Sequence, residues 1–172
     1  RPRDWSSDVC SSDLGDHVLI PAASSSVGLA AIQIANWTGA VPIALTRSAA
    51  KTEALLAQGA KHVVATTETD LATEIMRITG GRGAQVAFDP VGGPYVETLA
   101  GAMGENGTII VYGSLSGQPT PYPHWPAAFK SLSLRGWVAS YIWNNPERFD
   151  RVSRLILQGL AGGQLRPVIA RT

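Results

Sequence analysis

The chain has 172 residues, 45% of them apolar and 16% charged, with a net charge of +1. Such a chain is long enough for one globular domain with its own core, and its near-neutral charge gives no electrostatic case for a nucleic-acid partner. No apolar run approaches the roughly 20 residues that cross a bilayer, so no membrane partner is expected, and the single cysteine, Cys10, can form neither an internal disulfide nor a structural zinc site. That cysteine usage fits a reducing compartment, and cytoplasmic placement is expected.

Residues 1–14 have no period and no apolar face. Residues 4–14 resemble one translated frame of a common sequencing-library adapter, so residues 1–14 are expected to be a non-native tail. Trp5 and Cys10 then carry no functional claim. The native domain is expected over 15–172, inside a longer reading frame that began upstream.

From Gly15 the chain alternates short apolar runs with amphipathic segments. A strand is expected over 17–20, followed by a turn of small residues, Ala22 to Ser26, and a helix over 27–37 that Gly39 stops. A second strand over 41–46 leads to a helix over 49–58, which Ser48 can cap and Gly59 can end. A third strand over 62–65 precedes a helix over 71–79, capped by Asp70. A fourth strand, 85–88, ends at Asp89-Pro90, and Pro94 suits the first turn of a helix reaching 102. A fifth strand over 107–112 has the continuous apolar run of a buried parallel strand. The segment 117–123 is loop, 126–130 a single helical turn, and 132–138 a sixth strand. Asn145 and Pro146 open a long helix to 158, apolar at Phe149, Val152, Leu155 and Ile156. A turn over 160–164 and an extended segment over 165–170 follow. Strands separated by helices imply βαβ units, a mostly parallel sheet and helices on both faces.

The first strand, turn and helix carry the chemistry of a phosphate-binding unit. Small residues let backbone N–H groups approach a pyrophosphate, and the helix start adds partial positive charge. In the G-x-G-x-x-G frame, Ala23, Ser25 and Gly28 hold the glycine positions, so only the last is glycine. Ser24, Ser25 and Ser26 add hydroxyls, yet a small-residue turn that merely packs a helix on a strand would look the same. At the end of the second strand stand Thr46, Arg47 and Ser48, with Lys51 beyond. NAD enzymes place an acid there for the ribose 2′-hydroxyl; here the next acid is Glu53. Arg47 and Lys51 would attract a 2′-phosphate, and Thr46 and Ser48 could bond it. The alternative for the two cations is a solvated surface pair.

Three motifs in order, residues 22–28, Phe88-Asp89-Pro90-Val91-Gly92-Gly93 and Val111-Tyr112-Gly113-Ser114, together resemble the cofactor domain of the medium-chain dehydrogenases/reductases, in the zinc-independent quinone oxidoreductase branch. The resemblance covers residues 15–172. It implies an α/β, Rossmann-type doubly wound parallel sheet, truncated at both ends because the family's substrate domain is absent. It also implies NADPH as cofactor, a quinone or enone as substrate, and a homodimer in the full-length parent. It sets Ser24, Ser25, Ser26, Val27 and Gly28 against the pyrophosphate, and Lys51 at the family's phosphate-contacting lysine position. Asp89, Val91 and Gly92 would line the nicotinamide-ribose side, and Tyr112, Gly113 and Ser114 would frame the nicotinamide. Asp89 could equally make a turn before proline, and Tyr112 could be ordinary packing. No catalytic residue and no metal ligand is assigned: His17, His62 and His124 lack ligand spacing. A non-catalytic nucleotide-binding or interaction module is the alternative. An S-adenosylmethionine enzyme is a lesser rival: it too uses a small-residue first turn, but it would want an acid near the end of the second strand, and that acid is missing.

Overall fold

The computed structural model describes residues 14–168, and six of the expected strands are present in it: β1 (His17–Ile20), β2 (Val41–Thr46), β3 (His62–Ala65), β4 (Ala84–Asp89), β5 (Met103–Val111) and β6 (Ser133–Gly136). All pair in parallel, in the spatial order β3-β2-β1-β4-β5-β6. The strand order reverses between β1 and β4, which is the Rossmann arrangement and the place where such sheets open a crevice at the strands' carboxyl ends.

The connecting helices are α1 (Ser26–Thr38), α2 (Thr52–Ala57), α3 (Leu71–Ile78), α4 (Tyr95–Ala102), α5 (His124–Lys130), α6 (Ser140–Trp143) and α7 (Pro146–Ala161). Alternation along the strands divides the core in two. Val18, Ile20, Ala44 and Ile110 face Ile32 and Ala35 of α1 and Leu55 of α2. Leu19, Ile43, Leu45 and Ile109 face Leu71 and Ile75 of α3 and Val96 and Leu99 of α4. Each fully buried Leu or Ile stabilises the fold by about 1.5–3 kcal/mol relative to exposure. Helix ends follow the sequence signals. Ser25 caps α1 by accepting from Gly28 N at 3.1 Å, and Gly39, at φ +82°, closes it with N–H bonds to the last carbonyls. Asp70 caps α3 through Thr73 N at 2.9 Å, and Asn145 caps α7 through Arg148 N at 3.0 Å.

Six expectations differ from the structure, one of them the single turn over 126–130, which is the longer helix α5. The helix over 49–58 is a 3₁₀ turn, Ala49–Lys51, followed by the short α2, and Ser48 makes no capping bond. A carboxylate from the next loop, Glu68 Oε1, accepts from Ala49 N at 3.0 Å instead. β5 begins earlier than 107: Met103 pairs with Ala84, the register shifts, and Thr108 pairs with Val86. β6 stops at Gly136, and α6, which has no capping side chain to mark it, forms just beyond it. α7 runs on to Ala161 through Gly159, whose missing side chain admits the Trp37 ring: a Cβ there would lie 2.9 Å from it. Residues 165–168 form no strand, and 169–170, like the tail over 1–13, lie outside the described residues.

Candidate functional site

The first turn is pressed onto the sheet by backbone alone. Ala23 N donates to Leu45 O at 3.3 Å, and Ala22 takes φ +49° to bring the chain round. At Gly28 a Cβ would stand 2.6 Å from Ala23 O and 2.7 Å from Ala22 O. Glycine is therefore required at the third position of the frame, where α1 leaves the turn. Ser24, Ser25, Ser26 and Val27 are left exposed above the strand ends.

The end of β2 meets this turn from the side. Lys51 Nζ donates to Ser24 Oγ at 2.9 Å, joining two segments 27 residues apart in sequence. The loop after β3 fixes the same segment from the other side. Thr66 N and Thr66 Oγ1 donate to Thr46 O at 2.8 and 3.1 Å, and Thr67 donates to Arg47 O through both its N–H and its hydroxyl. Between turn and loop opens a cleft of about 650 Å³. Ser24 forms one wall, and Thr46, Arg47, Ser48 and Lys51 form the other. Among the described residues, no carboxylate pairs with Arg47 or Lys51, and none lines the cleft.

Toward the centre of the sheet, the Asp89 side chain is fully buried, and both its oxygens are engaged: Oδ1 accepts from Val91 N at 2.8 Å and Oδ2 from Gly92 N at 3.0 Å. Burial pushes its pKa up, against the pull of those two N–H donors. Asp89 thus acts as a clamp that shapes the turn after β4, and of the three residues in that turn Val91 is the one in the cleft wall. Gly113 allows that turn and the end of β5 to touch, since a Cβ there would lie 2.5 Å from Pro90 O.

A second cleft, of about 470 Å³, lies at the ends of β5 and β6. Tyr112, Gly113 and Ser114 line it, facing Trp137 and Val138. Tyr112 stacks on Phe88 at 4.0 Å between ring centroids, and its buried hydroxyl has no hydrogen-bond partner among the described residues. Burial, with the charge of Asp89 adding to it, pushes that phenol up to about 12.

The fold therefore gathers the residues marked in sequence at the carboxyl ends of the strands, although not into one cavity. Ser24, Thr46, Arg47, Ser48, Lys51 and Val91 share the larger cleft, and Tyr112, Gly113 and Ser114 share the smaller. Ser25 and Gly28 build the turn, and Ser26 and Val27 open α1 beside it. Tyr95, Leu115 and Thr66 also line the larger cleft and carry no sequence signal for it. Tyr95 belongs to an amphipathic helix, and Thr66 reaches the site only because β3 lies beside β2.

The family model described as zinc-binding dehydrogenase matches residues 26–158, most of the chain. The chain belongs to the zinc-binding dehydrogenase family. It is thereby a member of the medium-chain dehydrogenase/reductase superfamily. The mitochondrial enoyl-acyl-carrier-protein reductase of Yarrowia lipolytica is 30% identical over 141 residues, which are 77% of this chain and 37% of that relative. The 2-haloacrylate reductase of a Burkholderia species is 26% identical over 164 residues, 92% of this chain and 48% of the relative. A solved structure of Escherichia coli quinone oxidoreductase complexed with NADPH matches with a TM-score of 0.83 at 27% identity, over 92% of this chain and 49% of that one. The chain spans about half or less of the length of these relatives. The zinc of the family's name has no ligand set here: among the described residues no three His, Cys, Asp or Glu side chains come together.

Proposed function

We propose that this chain is the NADPH-binding part of a reductase acting on a small quinone or enone. The observation that carries the reading is the wall of the larger cleft, where Arg47 and Lys51 stand with two hydroxyl residues and no acid. Gly28 lets the turn close onto the start of α1, and the exposed Ser24, Ser25 and Ser26 at that helix start suit a pyrophosphate. NADPH, when bound, would supply a hydride from its nicotinamide to the conjugated carbonyl.

The chain's own part is to bind and orient. Arg47 and Lys51 neutralise a 2′-phosphate, and Thr46 and Ser48 hydrogen-bond it. Ser24, Ser25 and Ser26 offer hydroxyls to the pyrophosphate. The Asp89 clamp holds Val91 and Gly92 against the dinucleotide's path toward the smaller cleft, where Tyr112, Gly113 and Ser114 receive the ring. Trp137 and Val138 form the facing wall of that cleft. The reading includes a parent enzyme that works as a homodimer in the cytoplasm. Among the described residues, no helix is long and apolar enough to cross a membrane.

Fluorescence titration of NADPH and NADH into the chain, shown by circular dichroism to be folded, tests this. NADPH is expected to bind more tightly than NADH, and Arg47→Glu to weaken NADPH about tenfold or more, the scale of a lost charge-assisted hydrogen bond. A folded chain that binds neither dinucleotide overturns the reading.

A further inference from the structure

The segment that ends β2 has no acid of its own before Glu53, and that absence favours a 2′-phosphate. The tertiary structure supplies an acid from elsewhere. Glu68, in the loop between β3 and α3, accepts from Ala49 N at 3.0 Å through Oε1. Ala49 stands between Ser48 and Ala50, which both line the larger cleft. The loop carrying Glu68 is fixed: Thr66 and Thr67 bond Thr46 O and Arg47 O, and Glu68 N donates to Ala65 O at 3.0 Å. The carboxylate is therefore held behind the wall that carries Arg47 and Lys51, and among the described residues it forms no ion pair with either cation.

A carboxylate in that place acts unequally on the two dinucleotides. Across the wall it repels a 2′-phosphate, and it imposes no such penalty on the uncharged ribose 2′-hydroxyl of NADH. Resting on the cofactor reading above, we propose that Glu68 is a specificity residue of the cleft, which narrows the preference for NADPH over NADH that Arg47 and Lys51 create.

The test titrates NADPH and NADH into the 172-residue chain as wild type, Glu68→Gln and Glu68→Asp, at low and high salt, with circular dichroism to confirm folding. Glu68→Gln keeps an acceptor for Ala49 N and removes the charge. It is expected to tighten NADPH about fivefold and to leave NADH nearly unchanged, with the gain on NADPH shrinking at high salt as the charges are screened. Glu68→Asp, which keeps the charge, should retain the wild-type preference. A purely structural role for Glu68 would shift both cofactors together, so an unchanged NADPH-to-NADH ratio in Glu68→Gln overturns the proposal. If wild type binds NADPH normally, that failure leaves the cofactor reading standing; if wild type binds neither dinucleotide, both fall.

Discussion

Ile32 in α1 and Ile156 in α7 lie on apolar stripes that the sequence marks alike, yet Ile32 is fully buried and Ile156 is 45% exposed. The contrast extends to the regions around them. In the half built from β1, β2 and β3, Leu19, Ile20, Ile43 and Leu45 are sealed between helices. At the other end, no residue of β6 is buried, and Phe149, Leu155, Ile156 and Leu157 of α7 are exposed. Amphipathic spacing is enough to specify a helix and its apolar face. What covers that face depends on the neighbours the sheet order provides. α1 leaves β1 at the centre of the sheet, with strands on both sides, whereas α7 follows the edge strand β6.

The most direct way to break this comparison is to truncate the two isoleucines. Ile32→Ala is expected to cost about 3 kcal/mol, by lost burial and an unfilled cavity, whereas Ile156→Ala should cost under about 1 kcal/mol. Urea unfolding of both variants measures the difference. Equal costs would mean that the face of α7 is covered in solution.

Gly28→Ala sharpens the picture at the turn between β1 and α1. The added methyl meets two backbone carbonyls that cannot rotate away, so a loss of about 2 kcal/mol is expected, together with weaker NADPH binding, because the turn must lift. An alanine variant with wild-type stability would show that the turn is slacker than the contacts indicate.

The smallest expected effect is a pH dependence confined to the well-packed half. His17, at the start of β1, is buried with Nδ1 unpartnered among the described residues. Its pKa is lowered from 6.5, chiefly by burial, with Arg82 and His62 adding to the shift and Gln85 opposing it. Protonation therefore favours the unfolded chain. The stability that His17 contributes as a neutral ring is present above pH 6.5 and is lost as pH falls below that value. The unfolding midpoint should drop more between pH 7 and pH 5 in wild type than in His17→Leu. Equal drops would show that His17 ionises as freely in the folded chain as in the unfolded one.

Much of the cofactor half was legible because its signals are local. Ser25, Gly39 and Asp70 cap helices through bonds that reach only a few residues, and period-2 and period-3.6 patterns need no knowledge of the partner. Asp89 before proline was open to two readings, and its two short bonds to Val91 N and Gly92 N make it a turn clamp. Ser48 looked like a cap and is not one, because a carboxylate 20 residues downstream reaches the first N–H of that turn. Thr66 and Tyr95 were illegible as site residues, since nothing in their own neighbourhoods distinguishes them from ordinary strand-end and helix positions.

By itself, then, the sequence determined the six strands, the helices other than α6, and a mostly parallel sheet. Those outcomes follow from local stereochemistry and from the short reach of capping bonds. Only the tertiary structure decided that Lys51 would meet Ser24, that Glu68 would stand behind Arg47 and Ser48, and that α1 would be covered while α7 is not. Each of these depends on strand order, which places β3 beside β2 and β6 at an edge, and strand order brings together charges and faces that lie far apart along the chain.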